Sequence, residues 1–229
     1  MYTEFSAKII GNIGQCSTRE KRLLIHKSIV LVITFIVYAS YHASRRPISI
    51  VKPVLHRKNC TSTIEECSWK PFDDDKNYKT LFSVLESSYL LTYAFCMFVA
   101  GYFAERSNLR LFLSISLIIC GILTSSFGLA KIFNIHSLAY FIGVQILSGI
   151  AQTSGWPAVV AVVGQWFGNS KKGFIMGLWN FHTSVGNILG AVISGYFVAT
   201  NWGLSFIACG SLCFIAAFLV FFFLVPSKF

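Results

Sequence analysis

Charge is scarce in this chain. Of its 229 residues 12% are charged, about half the share found in soluble domains, while 55% are hydrophobic and 16% aromatic. That excludes an ordinary soluble domain and points to lipid. Acidic residues are scarcer still, nine against 19 basic ones. Only Glu86 stands clearly inside an apolar segment. No segment therefore offers the paired acids, nucleophile–base pair or His/Cys metal set that catalysis would need. The chain is read as a non-enzyme, with no cofactor and no metal. A net charge of +10 raises nucleic acid as a partner, but the basic residues are scattered between apolar blocks and gather at their ends. There they serve topology and lipid headgroups, so no nucleic acid is expected. Residues 1–27 are polar and basic, without the short apolar core and cleavage site of a signal peptide. Residues 1–26 are expected to form a cytosolic N-terminal segment. Cys96, Cys120, Cys209 and Cys213 lie in apolar runs and read as small buried hydrophobes, while Cys16 is an isolated thiol.

What remains is apolar sequence of membrane length. A hydrocarbon core about 30 Å thick takes about 20 helical residues. Six segments qualify: 27–45, 78–103, 109–130, 137–166, 173–199 and 202–224. The expected fold is an all-α membrane protein, a six-helix half-bundle over 27–229 with a lumenal loop at about 47–77. Small residues at Gly186, Gly190 and Ser194, and at Ser148, Gly149 and Gly155, mark close helix packing. Basic residues divide ten to nine between the two sides, which decides little. The first loop, however, carries the sequon Asn59-Cys60-Thr61, usable only on a lumenal or extracellular face. Cys60 and Cys67 share that loop and are close enough to bridge in an oxidising compartment. The termini are accordingly expected in the cytosol, with Asn59 a glycosylation site unless the sequon goes unused.

The most pointed feature is Arg45-Arg46 at the end of the first apolar run. A charge at membrane depth costs about 2.5–3.5 kcal/mol on insertion scales, which function usually justifies. Tyr38, Tyr41, His42 and Arg45 fall at i, i+3, i+4 and i+7, one stripe of a helix. A guanidinium framed by phenol and imidazole donors suits an anionic, oxygen-rich solute. The alternative is that both arginines snorkel to the headgroups from a helix end. Glu86, Tyr89, Tyr93 and Met97 form a second stripe, in which Glu86 is a candidate partner for Arg45 or Arg46, or else a carboxylate in lumenal water. Gln145, Ser148 and Gln152 form a third, either a wet cavity wall or a set of interhelical hydrogen bonds.

The turn Gly101-Tyr-Phe-Ala-Glu105-Arg106-Ser-Asn-Leu-Arg110 resembles the G-x-x-x-D-R-x-x-x-R signature of the major facilitator superfamily, with Glu105 in place of aspartate. Gly101 would allow close helix approach, the acid would cap a facing helix, and Arg106 and Arg110 would hold the cytosolic side. The stretch from Tyr38 to Lys52, Gly155-Trp156-Pro157 and the run Trp179 to Asn187 resemble organophosphate:phosphate antiporters, closest to the sugar-phosphate exchangers of the endoplasmic reticulum. Cys60, Cys67 and the stretch Cys67 to Phe72 fit that branch. The resemblance implies a twelve-helix fold of which this chain is the first half, with helices one, two, four and five lining a cavity. It implies exchange of a sugar phosphate, glucose-6-phosphate-like, for inorganic phosphate by alternating access, with Arg45 as the phosphate ligand. Met97 and Thr183 stand where bacterial relatives have a lysine and a histidine, and His182 is one residue early. His182 is thus a candidate site residue or a packed histidine. The second phosphate-binding arginine of the family belongs to the absent half, so the chain is expected to be inactive alone. Its partners would be that missing half or another transporter copy, and the alternative is a non-transporting truncated isoform or scaffold.

Overall fold

Apolar runs of membrane length become helices because backbone in lipid has to satisfy its own hydrogen bonds. The computed structural model describes residues 2–56, 69–166 and 172–224; among these are nine helices and no strand. Five segments are long and apolar enough to cross a membrane: Leu23–Leu55, Tyr78–Arg106, Leu109–Ile132, Leu138–Trp166 and Trp202–Phe223. They correspond to five of the six expected segments. The remaining one, 173–199, is present as two shorter helices.

The first span is longer than its sequence suggests. Helix α1 (Tyr2–Arg45) is followed after one residue by α2 (Pro47–Leu55), so the loop expected from residue 47 begins as helix. Pro47 has no N–H to give the ladder, which ends α1, yet its fixed φ suits a first helical position. Arg46 between them keeps helical torsions, φ −73° and ψ −32°. Ile48, Val51 and Leu55, at i, i+3 and i+7, then bury one face. Arg45 and Arg46 therefore lie inside the span, not at its end. Asn59, Cys60 and Cys67 lie outside the described residues. Where the connection resumes, the Trp69 N–H donates to the Leu55 carbonyl at 3.0 Å, and the Trp69 indole donates to the Ile135 carbonyl at 3.2 Å. The connection that follows Leu55 and the one that holds Ile135 are thus on one side of the bundle. Before the next helix, Asp74 accepts from the Lys76 N–H at 3.0 Å and the Asn77 amide at 2.7 Å, and those bonds hold its carboxyl below the usual range.

Helix α3 spans Tyr78–Arg106, and α4, Leu109–Ile132, starts at Asn108, whose side chain accepts the Arg110 N–H. The next span is α5 (Leu138–Thr153) and α6 (Gly155–Trp166). Its break follows from Pro157, which cannot donate to the Thr153 carbonyl. Helices α7 (Lys172–Trp179) and α8 (His182–Val198) meet at Asn180 and Phe181. Three-residue bonds from the Phe181 N–H to Leu178 and from the Thr183 N–H to Asn180 tighten the chain there. No proline or glycine at 180–181 announces it. Helix α9 is Trp202–Phe223, capped by Asn201.

Glycine makes the closest contacts. A Cβ at Gly128 would collide with the Gly203 carbonyl oxygen, and one at Gly121 would sit 3.0 Å from the Gly210 oxygen. Helices α4 and α9 are locked there, a pairing the sequence reading passed over. Gly186 and Gly190 of α8, expected as packing residues, lie against the backbone of Ala39 and Ala43 in α1. Gly155 lies against the Tyr41 ring, and Gly149 against the Tyr89 carbonyl. Gly101 does not behave as expected: a Cβ there meets nothing within 4 Å.

Two apolar clusters divide the bundle by depth. One holds Val30 to Tyr41 of α1 and Leu109 to Cys120 of α4, with parts of α6 and Cys213 to Leu224 of α9. The other holds Ile48 to Leu55, Phe82 and Leu85, Phe127, Phe141 and Phe206. Between the clusters stand Ser44 and Arg45 of α1, Thr124 of α4, and Ser148 and Gln152 of the span that follows it.

Candidate functional site

Arg45 sits in that middle layer. Its Nε–H donates to the Gln152 Oε1 at 2.5 Å, and the Tyr89 hydroxyl donates to the same oxygen at 2.8 Å. The Gln152 amide nitrogen in turn lies 3.1 Å from both the Ser44 Oγ and the Cys120 Sγ. One glutamine, 3% exposed, thus ties α1, α3, α4 and α5 together through a saturated amide. The guanidinium carbon of Arg45 stands 5.3 Å from the Tyr89 ring centroid and 5.0 Å from that of Tyr93. Placed over the two aromatic faces, the cation is stabilised by their π-electrons.

Arg46 reaches a neighbouring helix. Its Nε–H donates to Asn187 Oδ1 of α8 at 2.9 Å, and it lines the same cavity as Arg45. This cavity, about 310 Å³, is also bounded by Ser49, Glu86, Tyr89, Gln145, Ser148, Gln152 and Asn187. Thr124 and Phe127 of α4 and Phe206 of α9 close it from behind, so the third and sixth segments contribute wall as well as support. The polar third stripe is divided: Gln152 forms hydrogen bonds between helices, and Gln145 and Ser148 face the cavity.

The expected single stripe on α1 divides as well. Successive helical residues turn by about 100°, so Tyr41 is about 60° off Tyr38, enough to face another helix. Its hydroxyl is 2.8 Å from Ser116 Oγ of α4, and the ring is buried. Ser154 also bonds to Ser116, completing a dry hydroxyl chain behind the site. Tyr38 belongs to an aromatic group with Trp179 at 5.3 Å, Trp156 at 5.7 Å and His182 at 4.7 Å. His42 stacks on His182 at 5.5 Å and lies 3.4 Å from the Thr183 hydroxyl. His182 is 1% exposed; its Nδ1 faces Thr183 at 3.3 Å, and its Nε2 has no hydrogen-bond partner among the described residues. Tyr38, Tyr41, His42 and His182 are therefore beside the arginine cavity, not in its lining. Tyr93 and Gln152 stand at Arg45.

Glu86 lines the cavity but pairs with neither arginine. It accepts from Lys52 Nζ of α2 at 2.5 Å. With 47–77 read as loop, Lys52 was not placed on a helix facing α3. In the α3–α4 turn, Arg106 lies 3.8 Å over the Tyr102 ring, and Glu105 forms no ion pair among the described residues. Asn108 caps its own helix, α4, by accepting the Arg110 backbone N–H. Among the described residues no cluster of three metal-ligating side chains forms. Sequence reasoning missed Arg46 and Asn187 as cavity residues: Arg46 is about 100° round the helix from Arg45, and Asn187, at i−3 from Gly190, was passed over as a side chain on that face.

A helical bundle with cations at mid-depth, facing a cavity between apolar layers, is the architecture of a membrane transporter wall. The chain belongs to the Major Facilitator Superfamily, whose sequence profile matches residues 29–229. Among its relatives, the human glucose-6-phosphate exchanger SLC37A2 is 47% identical over 211 residues, and that of Xenopus tropicalis 50% over 210. The human glucose-6-phosphate exchanger SLC37A1 is 40% identical over 225 residues. Each alignment covers 87% of this chain and 42% of the relative. The chain matches the N-terminal part of proteins more than twice its aligned length.

Proposed function

We propose that this chain supplies one wall of a sugar-phosphate:inorganic phosphate antiporter working by alternating access. The observation that carries the reading is Arg45, held at mid-depth by Gln152 and two tyrosine rings, with no carboxylate within ion-pair distance among the described residues. A planar guanidinium held in this way can grip phosphate oxygens through two parallel bonds. Arg46, steadied by Asn187, offers a second cation in the same 310 Å³ space. The names of the relatives support glucose-6-phosphate and phosphate as the solutes. The chain spans 42% of the length of those relatives, and its described residues form one wall of the cavity.

The test is phosphate counterflow in proteoliposomes, with Arg45→Lys and Arg46→Lys made in this chain and at the matching arginines of a full-length relative. Lysine keeps charge but loses the fork. Loss in the Arg45 variant with a smaller loss in the Arg46 variant supports the reading; an unaltered Arg45 variant sinks it. Native protein at about twice this mass on an immunoblot would mark the chain as part of an ordinary exchanger. We place the chain in the endoplasmic reticulum membrane with cytosolic termini, on the strength of the Asn59 sequon. A glycosidase-sensitive mobility shift abolished by Asn59→Gln checks the orientation.

A further inference from the structure

A second cavity, about 450 Å³, opens between α2 and the first turns of α3, on the side of the α2–α3 connection. Lys52, His56, Tyr78, Lys79, Phe82 and Ser83 line it. Lys52 Nζ lies 5.5 Å from the Phe82 centroid and Lys79 Nζ 5.9 Å from that of Tyr78. His56 stacks on Tyr78 at 3.7 Å and faces the exposed Asp75 carboxylate at 3.0 Å. Lys79 has no carboxylate within ion-pair distance among the described residues. The pocket is therefore a cationic vestibule floored by aromatic rings.

Its connection to the arginine cavity is one ion pair. Lys52 lines the outer pocket, whereas its partner Glu86 lines the inner cavity. The pair stands in the wall the two chambers share. Its side chains are 30% and 42% exposed, so either can be reached from its own chamber, and a pair this open is held weakly. We propose that the outer pocket docks soluble phosphate-bearing anions (inorganic phosphate or a phosphate monoester), and that Lys52 exchanges Glu86 for the anion, opening the wall to the arginine cavity. The inference rests on reading the arginine cavity as a phosphate site. The exchange conserves charge at Lys52, because one oxyanion replaces another and the ammonium is never left bare. Glu86 is thereby a gate, and Lys79 draws the anion to it.

Reductive methylation keeps lysine charge and gives each lysine a carbon-13 reporter, assigned here through Lys→Arg variants of the full chain in phosphatidylcholine nanodiscs. On titration with inorganic phosphate, the Lys52 and Lys79 signals should shift saturably. Glu86→Gln should lower the midpoint about two- to fivefold by removing the competing carboxylate. Lys79→Gln, which breaks no ion pair, should raise it by a similar factor. The Lys52 shift should survive Arg45→Lys, while total radiolabelled phosphate bound should fall. Silent lysines with normal Arg45-dependent binding overturn the docking site and leave the inner reading standing. Responsive lysines with no effect of Arg45→Lys on bound phosphate overturn the inner reading instead, and with it the exchange between chambers. An unchanged midpoint in Glu86→Gln overturns the gate. Signals that move only when phosphatidic acid is added to the discs mark a lipid-headgroup site and overturn the proposal.

Discussion

Where α4 meets α9, the helices touch through backbone: Gly121 against Gly210, and Gly128 against Gly203. Where α1 meets α3 and α5, the contact runs through side chains, with Gln152 holding Arg45, Tyr89, Ser44 and Cys120 at once. The glycine contact has no side chain to move, so it behaves as a fixed hinge plate. The polar contact consists of exchangeable hydrogen bonds around a cation, and a ligand that offers better oxygens can take them over. The bundle thus combines one surface that keeps its shape with another whose hydrogen bonds can exchange.

The comparison breaks most sharply at Gly128. Gly128→Ala should cost about 2–3 kcal/mol, because its methyl meets the Gly203 carbonyl and two backbones have to part. Thermal unfolding followed by gel filtration reads this, with Gly143→Ala, which meets nothing within 4 Å, as the neutral control. On the polar side, Gln152→Leu leaves the Arg45 Nε–H and the Tyr89 hydroxyl without their acceptor. A cost of about 1–3 kcal/mol is expected in the same assay, with altered phosphate binding, whereas Gly128→Ala should change only stability. Tyr41→Phe removes the bond to Ser116 behind the site and should cost about 1 kcal/mol while phosphate binding stays the same. Lost binding in that variant would return Tyr41 to the cavity. Smallest of all is Gly101→Ala, expected within about 0.5 kcal/mol of wild type, since no neighbour approaches it. A large loss would mean that Gly101 packs against a surface this chain does not contain.

Much of this was legible because lipid simplifies the code. Apolar length alone marks a span, and Gly186 and Gly190 could be read as contact points from their spacing on α8. Arg45, Tyr93 and Gln152 were legible as polar residues in apolar company. The largest departure came from reading 47–77 as loop: the helix over Pro47–Leu55 was missed, and with it Lys52 as the partner of Glu86 and the mid-depth position of Arg46. The α7–α8 break had no sequence mark, because a tightened turn at Asn180 and Phe181 requires no special residue.

The sequence by itself determined that the chain is helical, lies in a membrane, and carries cations that lipid will not tolerate unpartnered. Family membership was readable there too, from the runs Tyr38 to Lys52, Gly101 to Arg110 and Trp179 to Asn187. Only the tertiary structure decided which partners those cations take. A helix period places a side chain within about 60°, and that arc separates a cavity wall from a buried interface. Tyr41 fell on the buried side of that arc and Tyr89 on the cavity side; Lys52, seven residues beyond Arg45, fell to a different chamber.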